Sequence, residues 1–282
     1  MSKGFLIFAQ NTDVDYVMQA YALALSIKFS QKEYSSVSIV TNSDVPEQYK
    51  SVFDNIIPIP WFDGTVSSLA GEHRWKLYHV SPYDETIVLD ADMLMLEDIS
   101  QWWDYCKPYD VKFCSRVKNY KLETVEQDMF HRRTFIENKL TNPYFALHYF
   151  KKSDKAKEFY KVLEFVCNNW EWCYSKFAPE LYQDWLSMDL ATAISIEITG
   201  EYNQVTDVCC PFEFIHMKVP LQKWPVTVAK WQDAVPCVLN TKGDLVVGNI
   251  KQSRLFHYVD KDFLTPMLLS RLEELAYGKK TI

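Results

Sequence analysis

The sequence predicts an α/β fold: a mostly parallel, open sheet flanked by helices. Three observations carry this. Apolar runs of strand length alternate with helix-period segments over the first hundred residues. The clearest run, Thr86-Ile87-Val88-Leu89, reads as a fully buried strand and leads into two carboxylates, Asp90 and Asp92. Open α/β sheets bind their ligands at such strand ends. The composition, 48% hydrophobic and 24% charged over 282 residues, suits a chain that buries a large core.

Taken in order, residues 5–9 (Phe-Leu-Ile-Phe-Ala) read as a buried strand. Thr12-Asp13-Val14-Asp15 fits a capping box, and a helix follows from about 14 to 30. Val17, Tyr21, Ala24 and Leu25 mark its buried face. Residues 37–41 form a second strand. Pro46 suits a turn into a short helix, and residues 56–60, with Pro58 and Pro60, an extended edge. Residues 73–81 read as a helix ended near Pro82, before the strand that leads to Asp90. Beyond Asp98 the pattern is mixed. Residues 143–150 read as a strand, 153–170 and 184–195 as helices, 212–258 as several short strands, and 262–277 as a closing helix.

The glycine content excludes two familiar chemistries. Seven glycines make about 2.5% of the chain, against a usual share of roughly 7%. No two fit G-x-G-x-x-G, and none opens a P-loop. A nucleotide phosphate held here must be neutralised by something other than a glycine-rich loop of N–H groups.

Other bulk features set expectations. The first residues carry no small-residue cleavage site, and no apolar run reaches membrane length. Seven cysteines (106, 114, 167, 173, 209, 210, 237) form no C-x-x-C pair, which fits reduced thiols in a cytoplasm. Net charge is −7, but Lys107 to Lys161 holds 13 Lys/Arg against 7 Asp/Glu. That segment is either a solvated face or a basic surface for a polyanion.

Asp90-Ala91-Asp92 is the sharpest chemical signal. Carboxylates are costly at the end of a buried strand unless paired or bound to metal. Two of them, spaced i and i+2 where a strand loosens, can converge on one divalent cation, and oxygen ligands suit Mg²⁺ or Mn²⁺.

The placement of Leu89-Asp90-Ala91-Asp92 resembles the D-x-D motif of GT-A fold (Rossmann-like) glycosyltransferases, of the glycogenin-like family 8 type. Other segments resemble that family in the same order: Phe8-Ala9-Gln10-Asn11-Thr12-Asp13 with Tyr16, then Arg74-Trp75-Lys76-Leu77, then Phe256-His257-Tyr258-Val259-Asp260-Lys261. The resemblance implies one domain over 1–282. Residues 1–100 would be its nucleotide-sugar half, and 101–282 its acceptor side and closing segment. It implies that Asp90, Asp92 and His257 bind the divalent metal. It places Ala91 at the donor, Lys76 and Lys261 on the diphosphate or donor sugar, and Ala9, Asn11, Thr12 and Tyr16 around the base and ribose. Asp184 or Asp189 would be the acidic residue near the donor sugar. The chain departs from the family pattern in three ways. Asn142-Pro143-Tyr144-Phe145-Ala146 lacks the family's glycine, the late glycine after the histidine is missing, and His257 and Lys261 are four apart rather than six.

The implied activity is transfer of a sugar from a nucleotide-sugar, a UDP-sugar foremost, with Mn²⁺ or Mg²⁺. A divalent ion and a lysine would stabilise the leaving diphosphate, and a carboxylate the oxocarbenium-like carbon. The opening residues and Tyr78–Leu96 also resemble tailed-phage glycosyltransferases, which makes hydroxymethylated cytosine in DNA an acceptor to consider. The basic segment, with His131-Arg132-Arg133, Tyr109, Phe113 and Tyr120, would suit such a track in a host cytoplasm. A glycan, protein or small-molecule acceptor stays open. So do a nucleotidyltransferase and a non-catalytic nucleotide-sugar-binding protein.

Overall fold

The structure is a computed structural model that describes residues 1–64, 71–125, 132–181, 185–205, 210–217 and 230–278. Thirteen strands are described: β1 (Lys3–Ala9), β2 (Val37–Thr41), β3 (Asn55–Pro58), β4 (Glu85–Asp90), β5 (Met93–Met95), β6 (Val111–Cys114), β7 (Val117–Lys118), β8 (Tyr144–Lys151), β9 (Phe214–His216), β10 (Cys237–Leu239), β11 (Leu245–Val247), β12 (Ile250–Lys251) and β13 (Leu255–His257). The main sheet runs β3-β2-β1-β4-β8-β6. β3, β2, β1 and β4 are parallel, and β8 runs antiparallel to β4 and β6. This is the predicted parallel-dominated α/β sheet. β3 stands at its edge, where a proline costs no ladder bond.

β1 and β4 are apolar on both faces because helices cover both faces of the sheet. Gly4 in β1 is required for packing: a Cβ there would lie 2.3 Å from the Tyr83 ring. The helix Tyr16–Ser30 follows β1 and is buried from Val17 through Ile27 except Met18, so it is wrapped on all sides rather than on one face. Its cap corrects the sequence reading. Asp15, not Thr12, accepts the hydrogen bond from Met18 N at 3.0 Å, and the Thr12 hydroxyl instead meets Asp13. The expected helix at 73–81 is a 3₁₀ stretch, Gly71–Lys76, followed by one α-turn, Leu77–Val80. The expected helix 153–170 is Asp154–Asn168, with a second helix, Trp170–Phe177, after a break at Asn169. The next is Met188–Thr199, stopped by Gly200 at φ 67°.

A smaller sheet, β5-β13-β9-β7, lies beyond the end of β4. β5 pairs antiparallel with β13, and β13 parallel with β9. The chain therefore crosses from the main sheet to the smaller one between Asp90 and Met93. The late segment 255–257 is brought against residues 93–95. No disulfide is formed among the described cysteines. No helix among the described residues is long and apolar enough to cross a membrane.

Candidate functional site

The crossing between the two sheets forms one wall of a cavity of about 470 Å³. Phe8 pairs with Asp90 in the β1–β4 register, so the ends of both strands open into it. Gln10, Thr12 and Tyr16 line it from the loop after β1 and the start of the next helix. Gly71 and Arg74 come from the 3₁₀ stretch. His216, His257, Val259 and Lys261 come from the smaller sheet and the turn after β13. Asp90, Ala91 and Asp92 lie between these groups.

Asp90, Asp92 and His257 each offer a ligand atom, and these atoms all lie within 4.8 Å of one another. The donor set is two carboxylate oxygens and an imidazole nitrogen, which fits a divalent metal ion. His257 Nε2 stands 3.0 Å from Asp92 Oδ2, and its Nδ1 is buried without a partner among the described residues. A buried unpaired polar atom costs about 1–3 kcal/mol.

Cations already hold the carboxylates. Arg74 Nη2 pairs with Asp90 Oδ1, and Lys261 Nζ pairs with the same Asp92 oxygen that His257 meets. Burial alone would push the Asp92 carboxyl up. His257 and then Lys261 more than offset this and hold it well below the usual carboxylate range. Burial pulls the Lys261 ammonium down, and the Asp92 carboxylate overcomes that and holds it above the ordinary lysine value.

A tight turn makes this convergence possible. Val259 sits at φ 67°, and Asp260 N donates to Tyr258 O at 2.7 Å. Positive φ at a β-branched residue costs on the order of 1–3 kcal/mol. The turn brings His257 and Lys261, four residues apart, onto one oxygen of Asp92. Gln19 fastens the turn from the buried helix: it accepts from the Tyr258 hydroxyl and donates to Lys261 O at 3.2 Å.

The structure brings together Asp90, Ala91, Asp92, His257, Lys261, Thr12 and Tyr16. It does not bring the other sequence-chosen residues to the cavity. Lys76 lies over the Trp61 and Trp75 rings and lines a separate hollow; two positions back along the 3₁₀ turn, Arg74 takes its place. Ala9 is fully buried inside β1. Asn11 is committed locally: its Oδ1 accepts from Val17 N at 3.0 Å, and its backbone exchanges bonds with the Asn42 amide. Asp189, on the first turn of Met188–Thr199, accepts from Arg132 Nη2 and Phe145 N, both at 2.7 Å, and does not line the cavity. Asp184 lies outside the described residues.

Sequence reasoning missed Phe8, Gln10, Gly71, Arg74, His216 and Val259. Two signals were available. Strand alternation at the end of β1 sends Phe8 one way and Ala9 the other. His216 carries a weaker signal, a histidine ending an apolar run as His257 does. The two are register partners on adjacent parallel strands, with ring centroids 4.8 Å apart.

No protein-family model and no curated relative matches the sequence. Solved structures do match. The galactosyltransferase LgtC, in complex with donor and acceptor sugar analogs, is 13% identical over 99% of this chain and 97% of its own, with a TM-score of 0.50. The chain has the GT-A glycosyltransferase fold. The bifunctional glycosyltransferase WbbM in its apo form is 12% identical over 98% of this chain, with a TM-score of 0.52. The glycosyltransferase GlyE of Streptococcus pneumoniae TIGR4 is 9% identical over 98% of this chain, at 0.47. This chain spans 61% of the GlyE chain and 50% of the WbbM chain.

Proposed function

We propose that the protein is a metal-dependent glycosyltransferase that moves a sugar from a nucleoside-diphosphate sugar, foremost a UDP-sugar, to an acceptor hydroxyl. The observation that carries this is the convergence of Asp90, Asp92 and His257 at the end of β4, inside a cavity flanked by Arg74 and Lys261. Solved glycosyltransferases sharing the fold support it.

Asp90, Asp92 and His257 would hold the divalent ion, which when bound supplies electrophilic stabilisation of the departing diphosphate. Lys261 and Arg74 add positive charge beside the carboxylates, in a partly buried site where charge interactions are strong. Tyr16 presents a ring beneath Lys261, 5.1 Å from its ammonium, and Phe8 a second apolar surface, so base or sugar faces have walls to pack on.

A DNA acceptor draws less support than charge counting suggests. Lys112, Arg116, Lys118, Arg132 and Lys152 of the basic segment are engaged inward, on backbone carbonyls, on Glu213 or on Asp189. A hydroxyl on a glycan, protein or small molecule stays within the proposal.

The test is a thermal-shift screen of nucleotide-sugars with Mn²⁺ or Mg²⁺, read beside release of nucleoside diphosphate. The expected result is a melting rise that needs both ion and nucleotide, by mass action, and that vanishes in Asp92→Asn. A wild-type protein that responds to no nucleotide-sugar with either ion overturns the reading.

A further inference from the structure

We propose that Arg74 and Lys261 are exchangeable counter-ions. They neutralise Asp90 and Asp92 until a divalent ion and a diphosphate arrive together, and they then move from the carboxylates to the diphosphate. Ion and nucleotide binding are thereby made mutually dependent. The inference rests on the reading of this site as an ion–diphosphate centre.

The geometry puts the competition on particular atoms. Arg74 Nη2 holds Asp90 Oδ1, while Lys261 Nζ and His257 Nε2 share Asp92 Oδ2. These carboxylates are two members of the cluster that would ligate an ion. An ion entering the cluster must therefore displace both cations or accept their charge beside its own.

Charge counting gives the direction. With His257 as the neutral imidazole that ligation requires, two carboxylates against one guanidinium and one ammonium sum to zero. A divalent ion alone would leave the site at +2. The diphosphate of a nucleotide-sugar, with its two negative charges, would alone leave it at −2. Together they restore neutrality. The Asp92 and His257 side chains are only 8% and 10% exposed, so an unbalanced charge here is poorly hydrated and costly. Each ligand then raises the other's affinity by the same factor.

Both cations are equipped to be handed over. The Arg74 guanidinium lies between the Phe8 and Phe145 rings, 5.4 and 5.3 Å from their centroids, which fixes its plane at the cavity wall. Its Nη2, now on Asp90, is a donor that a phosphate oxygen can take over. Lys261 is anchored through its backbone carbonyl by Gln19, which leaves the ammonium able to swing while its Cα stays put.

The test is calorimetric titration of MnCl₂ alone, UDP alone, and each in the presence of the other, on wild type, Arg74→Met and Lys261→Met, with melting curves to confirm folding. In wild type each ligand should tighten the other by about tenfold or more. Each variant should bind Mn²⁺ alone about 3- to 10-fold tighter, bind UDP in the presence of Mn²⁺ at least tenfold more weakly, and lose most of the coupling. The two variants report independently, so one that fails to fold leaves the other to decide. Wild type that binds both ligands, with Mn²⁺ alone bound no tighter by either folded variant, overturns the exchange and leaves the parent reading standing. Wild type that binds neither ligand overturns the parent reading and the exchange with it.

Discussion

Arg74 and Lys76 are two residues apart, and that step decides which of them faces the cavity. In the 3₁₀ stretch, with about three residues per turn, side chains two apart point to different sides. Arg74 meets Asp90, while Lys76 lies on tryptophan rings in another hollow. Lys76→Ala should leave UDP affinity with Mn²⁺ within about twofold, whereas Arg74→Ala should weaken it by at least about tenfold. Titration calorimetry on the two variants checks this, and equal effects would return Lys76 to the site. A second residue-scale expectation concerns His148 in β8, which is fully buried. Burial lowers its imidazole to about 3; the bond to Phe145 O opposes the shift, and the charge of Arg74 adds to it. The fold thus holds the neutral ring. That stability is complete above the ordinary value of 6.5 and is lost as pH falls toward about 3. At roughly 1.4 kcal/mol per unit, urea unfolding at pH 4.5 should show a loss on the order of 2–3 kcal/mol relative to pH 7. His148→Gln should abolish that part of the loss. An unchanged pH dependence in the variant would place the sensitivity elsewhere.

At the scale of elements, the helix Met188–Thr199 shows how a carboxylate can be legible and yet have another use. The sequence reading put a helix at 184–195 and singled out Asp189 within it, whereas the helix is Met188–Thr199 and Asp189 lies on its first turn. What could not be read is that Arg132, only 5% exposed, lies against it and stacks 3.6 Å from the Tyr144 ring. Asp189 pins Arg132 and the start of β8 with two bonds of 2.7 Å. Breaking a buried pair leaves an uncompensated charge. Asp189 is itself 27% exposed, so Asp189→Ala should cost on the order of 2–3 kcal/mol, less than for a fully buried pair. Chemical denaturation measures that loss. A variant of native stability with abolished turnover would move Asp189 from the scaffold to the chemistry. The strands show the opposite case. β1, β2 and β4 were legible because both faces of a covered parallel sheet must be apolar. The short strands β5, β9 and β13 carry their meaning in long-range pairing, which no local pattern encodes. His216 stayed hidden for that reason.

Across the whole molecule, charge follows the same division. The basic excess of 107–161 is visible in the sequence, but its destination is not. Five of its cations turn inward to carbonyls and carboxylates. With a net charge of −7, the protein should elute from a DNA column below about 0.2 M salt. Retention at higher salt, with a steep salt dependence, would restore the DNA track. The fold class and the carboxylate pair were legible because a buried strand cannot end in two aspartates without compensation. The rest of the wall was not, because it is assembled from segments far apart in the chain.

That distance has a consequence in time. Lys261 reaches Asp92 across 169 residues of sequence. At roughly 5–20 residues per second, a ribosome adds that stretch in about ten to thirty seconds. Through that interval the segment bearing Asp90 and Asp92 exists without the histidine, the lysine or the Val259 turn. A nascent chain stopped before Leu255 carries the aspartates but lacks His257 and Lys261, and so the centre proposed to hold an ion and a nucleotide. On that proposal, the centre can be complete only once β13 has paired with β5 and β9.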